Sequence, residues 1–153
     1  MFTCSVEILV RRPLAEVFAF VEDARKRPHW DPSVVSEELT SPVPIGVGTT
    51  IRTRLRSMGR EYEYTWEVTE HRPPQRMVIT SRSGPVPTVL EFRLAREDDA
   101  TRVVFTVTGR PAGPMRALQP LVSRSTQRNL DRSFARLKQL LESGVPPEEE
   151  VAH

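Results

Sequence analysis

Two tyrosines, Tyr62 and Tyr64, are the residues of this 153-residue chain best suited by type and spacing to hold a bound molecule. They stand two positions apart in the alternating segment 60–71, so a β-strand would place both hydroxyl groups on one face. A buried tyrosine hydroxyl needs a hydrogen-bond partner. The pair therefore predicts either a polar corner of the core or contacts with water or a ligand.

Other reactive residues form no recognisable arrangement. His29, His71, His153 and the single Cys4 are scattered, without the spacing of a metal site. No glycine-rich phosphate loop and no nucleophile elbow occurs. His29 and Asp31 are the only imidazole and carboxylate expected near an open end of the fold. We therefore predict no metal, no cofactor and no catalytic residue.

Composition and charge restrict the class of protein. One cysteine excludes an internal disulfide and fits a reducing cytoplasm, and no apolar run approaches the roughly 20 residues of a membrane span. The N-terminus alternates like a strand and does not resemble a signal peptide. Lysine occurs only at positions 26 and 138, and the many arginines indicate either phosphate recognition or a solvated surface. Because they alternate with glutamates, nucleic-acid binding is not expected.

The hydrophobic periodicity predicts a curled sheet around one long helix. Residues 2–10 alternate, and Leu14, Val17, Phe18 and Val21 then recur at helical spacing after Pro13. A helical pattern covers 114–142, where Pro120 either kinks the helix or marks its true start. One helix cannot cover both faces of so many strands unless the sheet curls around it. The predicted strands after the short helices are 34–40, 48–57, 60–71, 75–83, 86–96 and 101–110.

Hairpin register separates a solvent face from an inner face. With Met58-Gly59 as the turn, Arg56 opposes Glu61, and Leu55 opposes Tyr62 on the other face. A slip of one residue would destroy both matches, so the arginine row is better explained as a solvent face than as an anion site. On the charged face, Arg54–Glu63 is a further predicted pair. On the inner face, the further predicted pairs are Thr53–Tyr64, Ile51–Trp66, Trp66–Ile79, Val68–Met77, Ile79–Leu90, Met77–Phe92, Ser81–Thr88, Leu94–Val103, Phe92–Phe105 and Leu90–Val107.

This inner face has a polarity gradient and is expected to carry no carboxylate, lysine or histidine. Met77 and Phe92 lie toward an apolar floor, whereas Thr53, Tyr62 and Tyr64 lie toward the 58–59 and 84–85 turns and the 109–114 junction. The gradient predicts a pocket for a small apolar molecule with its mouth at those turns.

The segments RRPLAEVFAFVEDARKRPHWDPSV, GVGTTIRTRL, YEYTWEVTEHRPPQRMVITS, ATRVVFTVTG and LDRSFARLKQLLE resemble the START/Bet v 1-like (SRPBCC) superfamily, most closely its polyketide cyclase/dehydrase branch, over residues 2 to 142. The resemblance implies an α+β helix-grip fold: a seven-stranded curved antiparallel sheet around a long C-terminal helix, with two short helices after strand 1. It also implies hydrophobic ligands such as lipids, polyketides or aromatic compounds. Trp30-Asp31-Pro32 matches the family's Trp-x-Pro segment near the cavity.

We therefore predict a ligand-binding domain over 1–142 and a disordered acidic tail over 143–153. Binding of a small hydrophobic molecule between sheet and helix is the expected function. The alternatives are a polyketide cyclase/dehydratase-type enzyme and a protein-interaction domain with a filled pocket. A cytoplasmic monomer or homodimer is expected. The predicted ligand-binding residues are Trp30, Thr53, Tyr62, Tyr64, Trp66, Ile79, Ser81, Leu90, Phe92, Phe105, Leu118, Val122 and Thr126.

Overall fold

In a computed structural model of the protein, residues 1–143 are described. The elements follow the predicted order, and the acidic tail lies outside the described residues except for Ser143, which ends the last helix. The elements are β1 (Phe2–Val10), α1 (Leu14–Glu22), a 3₁₀ turn (Ala24–Lys26), α2 (Arg27–Trp30), β2 (Val34–Leu39), β3 (Thr50–Ser57), β4 (Arg60–Arg72), β5 (Arg76–Ser83), β6 (Thr88–Glu97), β7 (Ala100–Gly109), a second 3₁₀ helix (Gly113–Leu118) and α3 (Gln119–Ser143).

The seven strands form one antiparallel sheet in the order β1-β7-β6-β5-β4-β3-β2. The sheet curls around α3, so the predicted α+β helix-grip architecture is confirmed. The buried stripe of α3, which includes Leu130, Phe134 and Leu137, recurs at helical spacing and faces the sheet. Pro120 is the second residue of α3, where its missing N–H costs no hydrogen bond, and it therefore marks the start of the helix. No helix within residues 1–143 is long and apolar enough to cross a membrane.

Strand register confirms most of the predicted pairs. Every predicted β3–β4 and β6–β7 pair is present, as are Ile79–Leu90 and Met77–Phe92 between β5 and β6. The β4–β5 prediction was wrong by two residues, because Trp66 pairs with Ser81 and Val68 pairs with Ile79. Bulges near Trp66 and Glu70 shift this pairing. The error is an even number of residues, so the affected side chains stay on the inner face.

A bulge in β2 changes the chemistry of the inner face. Val34 pairs with Leu55, but beyond the irregularity between Val34 and Ser36 it is Glu37 that pairs with Thr53. An unbroken strand would have placed Ser36 opposite Thr53 and turned Glu37 outward. The expectation that this face carries no carboxylate is therefore wrong, because one extra residue brings Glu37 inside.

Candidate functional site

A cavity of about 400 Å³ lies between the inner face of the sheet and α3. It reaches the surface by the β3–β4 turn, where Met58 is 51% exposed. Pro85 of the β5–β6 turn and Met115 of the second 3₁₀ helix also line it. The apolar part of its wall includes Phe2, Val34, Ile51, Leu55, Ile79, Val86, Leu90, Val107, Val122 and Leu130.

The structure brings together most of the residues predicted to contact a ligand. Tyr62 and Tyr64 line the cavity side by side on β4, as their spacing predicts. The others that line it are Thr53, Trp66, Ile79, Leu90, Val122 and Thr126. That these side chains contact a ligand remains a prediction. The structure shows that they line one cavity.

Five predicted residues do not line the cavity. Trp30, Phe92 and Phe105 belong to an aromatic cluster that fills the floor instead, with Phe105 4.4 Å from Phe92 between ring centroids. Ser81 accepts a hydrogen bond from the backbone N–H of Thr88 at 2.9 Å, which occupies its side chain between strands. Leu118 lies in the second 3₁₀ helix and is 42% exposed.

Tyr64 and Trp66 form a rigid aromatic wall. Their rings stack with centroids 4.9 Å apart and planes inclined by 16°. Gly84, at φ +142°, lies so close that an added Cβ would come within 2.4 Å of the Tyr64 ring. Burial raises the pKa of the Tyr64 hydroxyl. At neutral pH this hydroxyl is therefore a neutral hydrogen-bonding group.

Glu37 places a carboxyl group inside the cavity. The Thr53 hydroxyl donates to Glu37 Oε2 at 2.8 Å, and Trp66 Nε1 donates to the Thr53 oxygen at 3.1 Å. Burial raises the pKa of Glu37 to about 7, although the Arg27 charge and the Thr53 hydrogen bond oppose the rise. The negative charge of Asp31 also raises the pKa of Glu37. Glu37 is therefore divided between its protonated and ionised forms near neutral pH.

Arg27 supplies a cation to the same end of the cavity. Its Nε donates to Asp31 Oδ2 at 3.1 Å, and its guanidinium lies 5.2 Å from the Trp30 ring centroid and 5.7 Å from that of Phe105. Among residues 1–143, its two terminal nitrogens donate to no protein group, and no ion pair joins it to Glu37. Both residues line the cavity, so a bound molecule has access to a fixed donor beside a titrating carboxyl group.

Asp31 holds this arrangement in place. Its Oδ1 accepts from the Ser33 backbone N–H at 3.0 Å, from the Ser33 hydroxyl at 2.7 Å and from Asn129 Nδ2 at 3.1 Å. Burial alone would raise its pKa, but the Arg27 charge and the hydrogen bonds from Ser33 and Asn129 outweigh burial and hold the pKa below its usual value. Asp31 is therefore an ionised positioning residue that ties Arg27 and α2 to α3.

A sequence profile described as "Polyketide cyclase / dehydrase and lipid transport" matches residues 1–142. The chain belongs to this family. Thus the predicted superfamily is confirmed. No relative among functionally curated proteins matches the sequence.

Solved structures show the same fold for this cyclase/dehydrase family member. A Thermus thermophilus protein is 21% identical with a TM-score of 0.82, covering 94% of this chain and 99% of its own. The aromatase/cyclase Zhui of a Streptomyces species is 16% identical with a TM-score of 0.75, covering 90% and 92%. A START superfamily protein of Mycobacterium smegmatis is 15% identical with a TM-score of 0.71, covering 94% and 96%. At these identities the similarity establishes the fold alone.

Sequence reasoning missed Arg27 and Glu37 at the charged end of this family member's cavity, whereas Asp31 was expected near an open end and does line the cavity. Arg27 and Asp31 stand at i and i+4, a spacing that predicts an ion pair on one helical turn. Glu37 carried no comparable signal, because its inward position depends on the β2 bulge. His29 and His71 lie outside the cavity lining, and His71 instead contacts Glu22 at 2.7 Å. Within residues 1–143, no group of three histidine, cysteine or acidic side chains is arranged to hold a metal.

Proposed function

We propose that this protein binds a small, mostly hydrophobic molecule in the cavity between the sheet and α3. The observation that carries the proposal is an open cavity of about 400 Å³ whose lining combines many apolar side chains with a charged group at one end. Ligand pockets have volumes of about 300–1,000 Å³, apolar walls and a few polar groups that orient the ligand. The charged end consists of Arg27, Asp31 and Glu37, and the Tyr62 and Tyr64 side chains line the same cavity. A protein-interaction domain with a filled pocket would lack this open space.

Filling the cavity should strongly weaken binding. Leu90 lies on β6 with its side chain in the cavity wall, so Leu90→Trp adds bulk to the empty space. We expect at least tenfold weaker binding of the neutral fluorescent probe N-phenyl-1-naphthylamine, measured by titration. Val89→Trp is the matched control, because Val89 is the next residue of the same strand, 38% exposed and outside the cavity. Equal affinities in the two variants would contradict the proposal.

A second function, proton transfer on a bound carbonyl compound, is favoured by Glu37. A general base works best when its pKa lies near the operating pH, and the pKa of Glu37 is about 7. The free N–H groups of Arg27 suit the negative charge that develops on an enolate oxygen. These features would serve an enzyme of the polyketide cyclase/dehydratase type, the activity class that the family description includes.

This second function is tested by α-proton exchange. Hydrogen–deuterium exchange of phenylacetone in D₂O, followed by NMR, should be accelerated by the wild-type protein and not by Glu37→Gln. Glu38→Gln is the matched control, because Glu38 is the next residue on β2 but is exposed and pairs with the exposed Arg52 at 3.2 Å. Exchange at the uncatalysed rate with wild-type protein, or acceleration that survives in Glu37→Gln, would count against Glu37 as the base.

A further inference from the structure

The geometry points to a ligand whose polar end is a carboxylic acid, bound between the Arg27 guanidinium and the Glu37 carboxyl with one proton shared between ligand and Glu37. This inference rests on the proposed binding function and narrows it to one class of ligand. In this arrangement the apolar wall contacts the ligand's hydrocarbon or aromatic body, and the Arg27–Glu37 end binds its carboxyl group.

Arg27 provides the anion-binding half of this site. Its Nε is occupied by Asp31, whereas its two terminal nitrogens have no protein partner among the described residues, and the residue lines the cavity. Arginine binds carboxylates through its planar fork of N–H donors. Stacking against Trp30 and Phe105 together with the Asp31 contact fixes the guanidinium in position. A ligand carboxylate would therefore bind to a guanidinium that is already held in position, so binding would not have to immobilise it.

The excess of positive charge along the cavity favours the entry of an anion. Arg128 and Arg132 on α3 line the cavity, are exposed, and have no acidic partner among residues 1–143. Arg56 on β3 also lines it, although its guanidinium is engaged by Glu61 at 2.8 Å. The charged lining as a whole has four arginines and two carboxyl groups, and such an excess of one sign of charge concentrates ligands of the opposite sign. An ammonium ligand would be repelled by these arginines.

Glu37 provides the second half and makes binding depend on pH. Two ionised carboxylates in contact repel each other, so Glu37 must accept a proton from solvent when a ligand carboxylate binds. Its O–H then donates to one ligand oxygen while the other ligand oxygen accepts from Arg27, and no further bond forms or breaks. Arg27 and Asp31 from the α2 region act on Glu37 directly. The other titratable and charged groups that line the cavity are Tyr62 and Tyr64 of β4, Arg56 of β3, and Arg128 and Arg132 of α3.

The pH dependence has a definite sign. In the free protein the pKa of Glu37 is about 7, and a neighbouring ligand carboxylate would raise that pKa further. Below about pH 7 the proton is already present, so affinity should be nearly constant. Above pH 7 binding must take up a proton, and one-proton linkage lowers the affinity about tenfold for each pH unit. An alcohol of the same shape carries no charge and would show no such slope.

Three probes with one aromatic body distinguish the head groups: 2-naphthaleneacetic acid, 2-naphthaleneethanol and 2-naphthaleneethylamine. Calorimetric titrations between pH 6.5 and 8.5, in two buffers with different ionisation heats, give both affinity and proton uptake. We expect the acid to bind at least tenfold more tightly than the alcohol or amine at pH 6.5, with close to one proton taken up at pH 8. Glu37→Gln, whose amide N–H replaces the carboxyl O–H as donor, should bind the acid with no pH slope and no proton uptake. Glu38→Gln should behave like the wild type.

The outcomes separate this inference from the function on which it rests. Binding of the alcohol or amine as tightly as the acid would overturn the carboxylic-acid assignment while leaving the binding function intact. A flat affinity for the acid between pH 7 and 8.5 in wild-type protein, or an unchanged slope in Glu37→Gln, would overturn the shared proton. Binding of none of the three probes would contradict the proposed binding function itself.

Discussion

Replacing Asp31 by alanine is expected to lower the free energy of unfolding by about 3–5 kcal/mol, the usual cost of removing one partner from a buried ion pair. Asp31 is only 2% exposed and its side-chain partner Arg27 only 15%. The substitution leaves the Arg27 guanidinium without its counter-charge and also removes the acceptor for Ser33 and Asn129. For a protein of this size the loss corresponds to a fall in Tm of about 10 °C.

Urea denaturation at pH 7 measures this effect, and an exposed ion pair provides the control. Glu38→Ala removes the exposed partner of Arg52, and exposed pairs contribute about 0–1 kcal/mol. A loss below 1 kcal/mol for Asp31→Ala would show that the network is not stabilising.

The same network predicts how stability depends on acid. Because the folded-state pKa of Asp31 is lowered, its ionised form contributes stability that is complete above the unfolded-state pKa of about 3.9 and is lost as pH falls through the folded-state value. The stability difference between wild type and Asp31→Asn should therefore shrink below about pH 4. A difference that is independent of pH would assign the effect to packing.

The fold was predictable because side-chain types alternate consistently along the hairpins. A single register pairs Arg56 with Glu61 on one face and Leu55 with Tyr62 on the other, and the structure has this register. No such constraint acted on β4 and β5, where bulges shift the pairing without changing which side chains point inward. The prediction of which side chains point inward was therefore correct, although the predicted β4–β5 register was wrong.

The chemistry of the site was harder to predict because it depends on one irregularity. Glu37 lies between Ser36 and Glu38 in a polar stretch. Strand alternation alone would point the Glu37 side chain toward solvent. The β2 bulge reverses that direction, and no residue type in the segment announces it. Arg27 was less hidden, because its i, i+4 spacing from Asp31 predicts an ion pair, but α2 has only four residues and thus no periodicity that predicts which way the pair faces.

Aromatic residue types also do not distinguish the wall of a cavity from its floor. Trp66 and Phe92 both point to the inner face, yet only Trp66 lines the cavity. The difference depends on where α3 fills the space, because Phe134 stacks on Phe105 at 5.1 Å and meets the edge of Trp30 at 5.2 Å. The position of a helix over a sheet is a tertiary property that strand patterns do not carry.

Phe134→Ala should therefore be the other severely destabilising substitution, costing about 3–5 kcal/mol as expected for a buried phenylalanine. The ring is 1% exposed and joins α3 to both the sheet and α2 through Phe105 and Trp30. Leu121→Ala, in the same helix but 54% exposed, should change stability by less than about 0.5 kcal/mol. Urea denaturation of both variants measures the contrast, and similar losses would mean that the Phe134 ring contributes no more to stability than an exposed side chain of the same helix. Since Trp30 also packs against the Arg27 guanidinium, affinity for 2-naphthaleneacetic acid should fall in Phe134→Ala and stay unchanged in Leu121→Ala. Unchanged affinity in both variants would separate the floor from the polar end of the cavity.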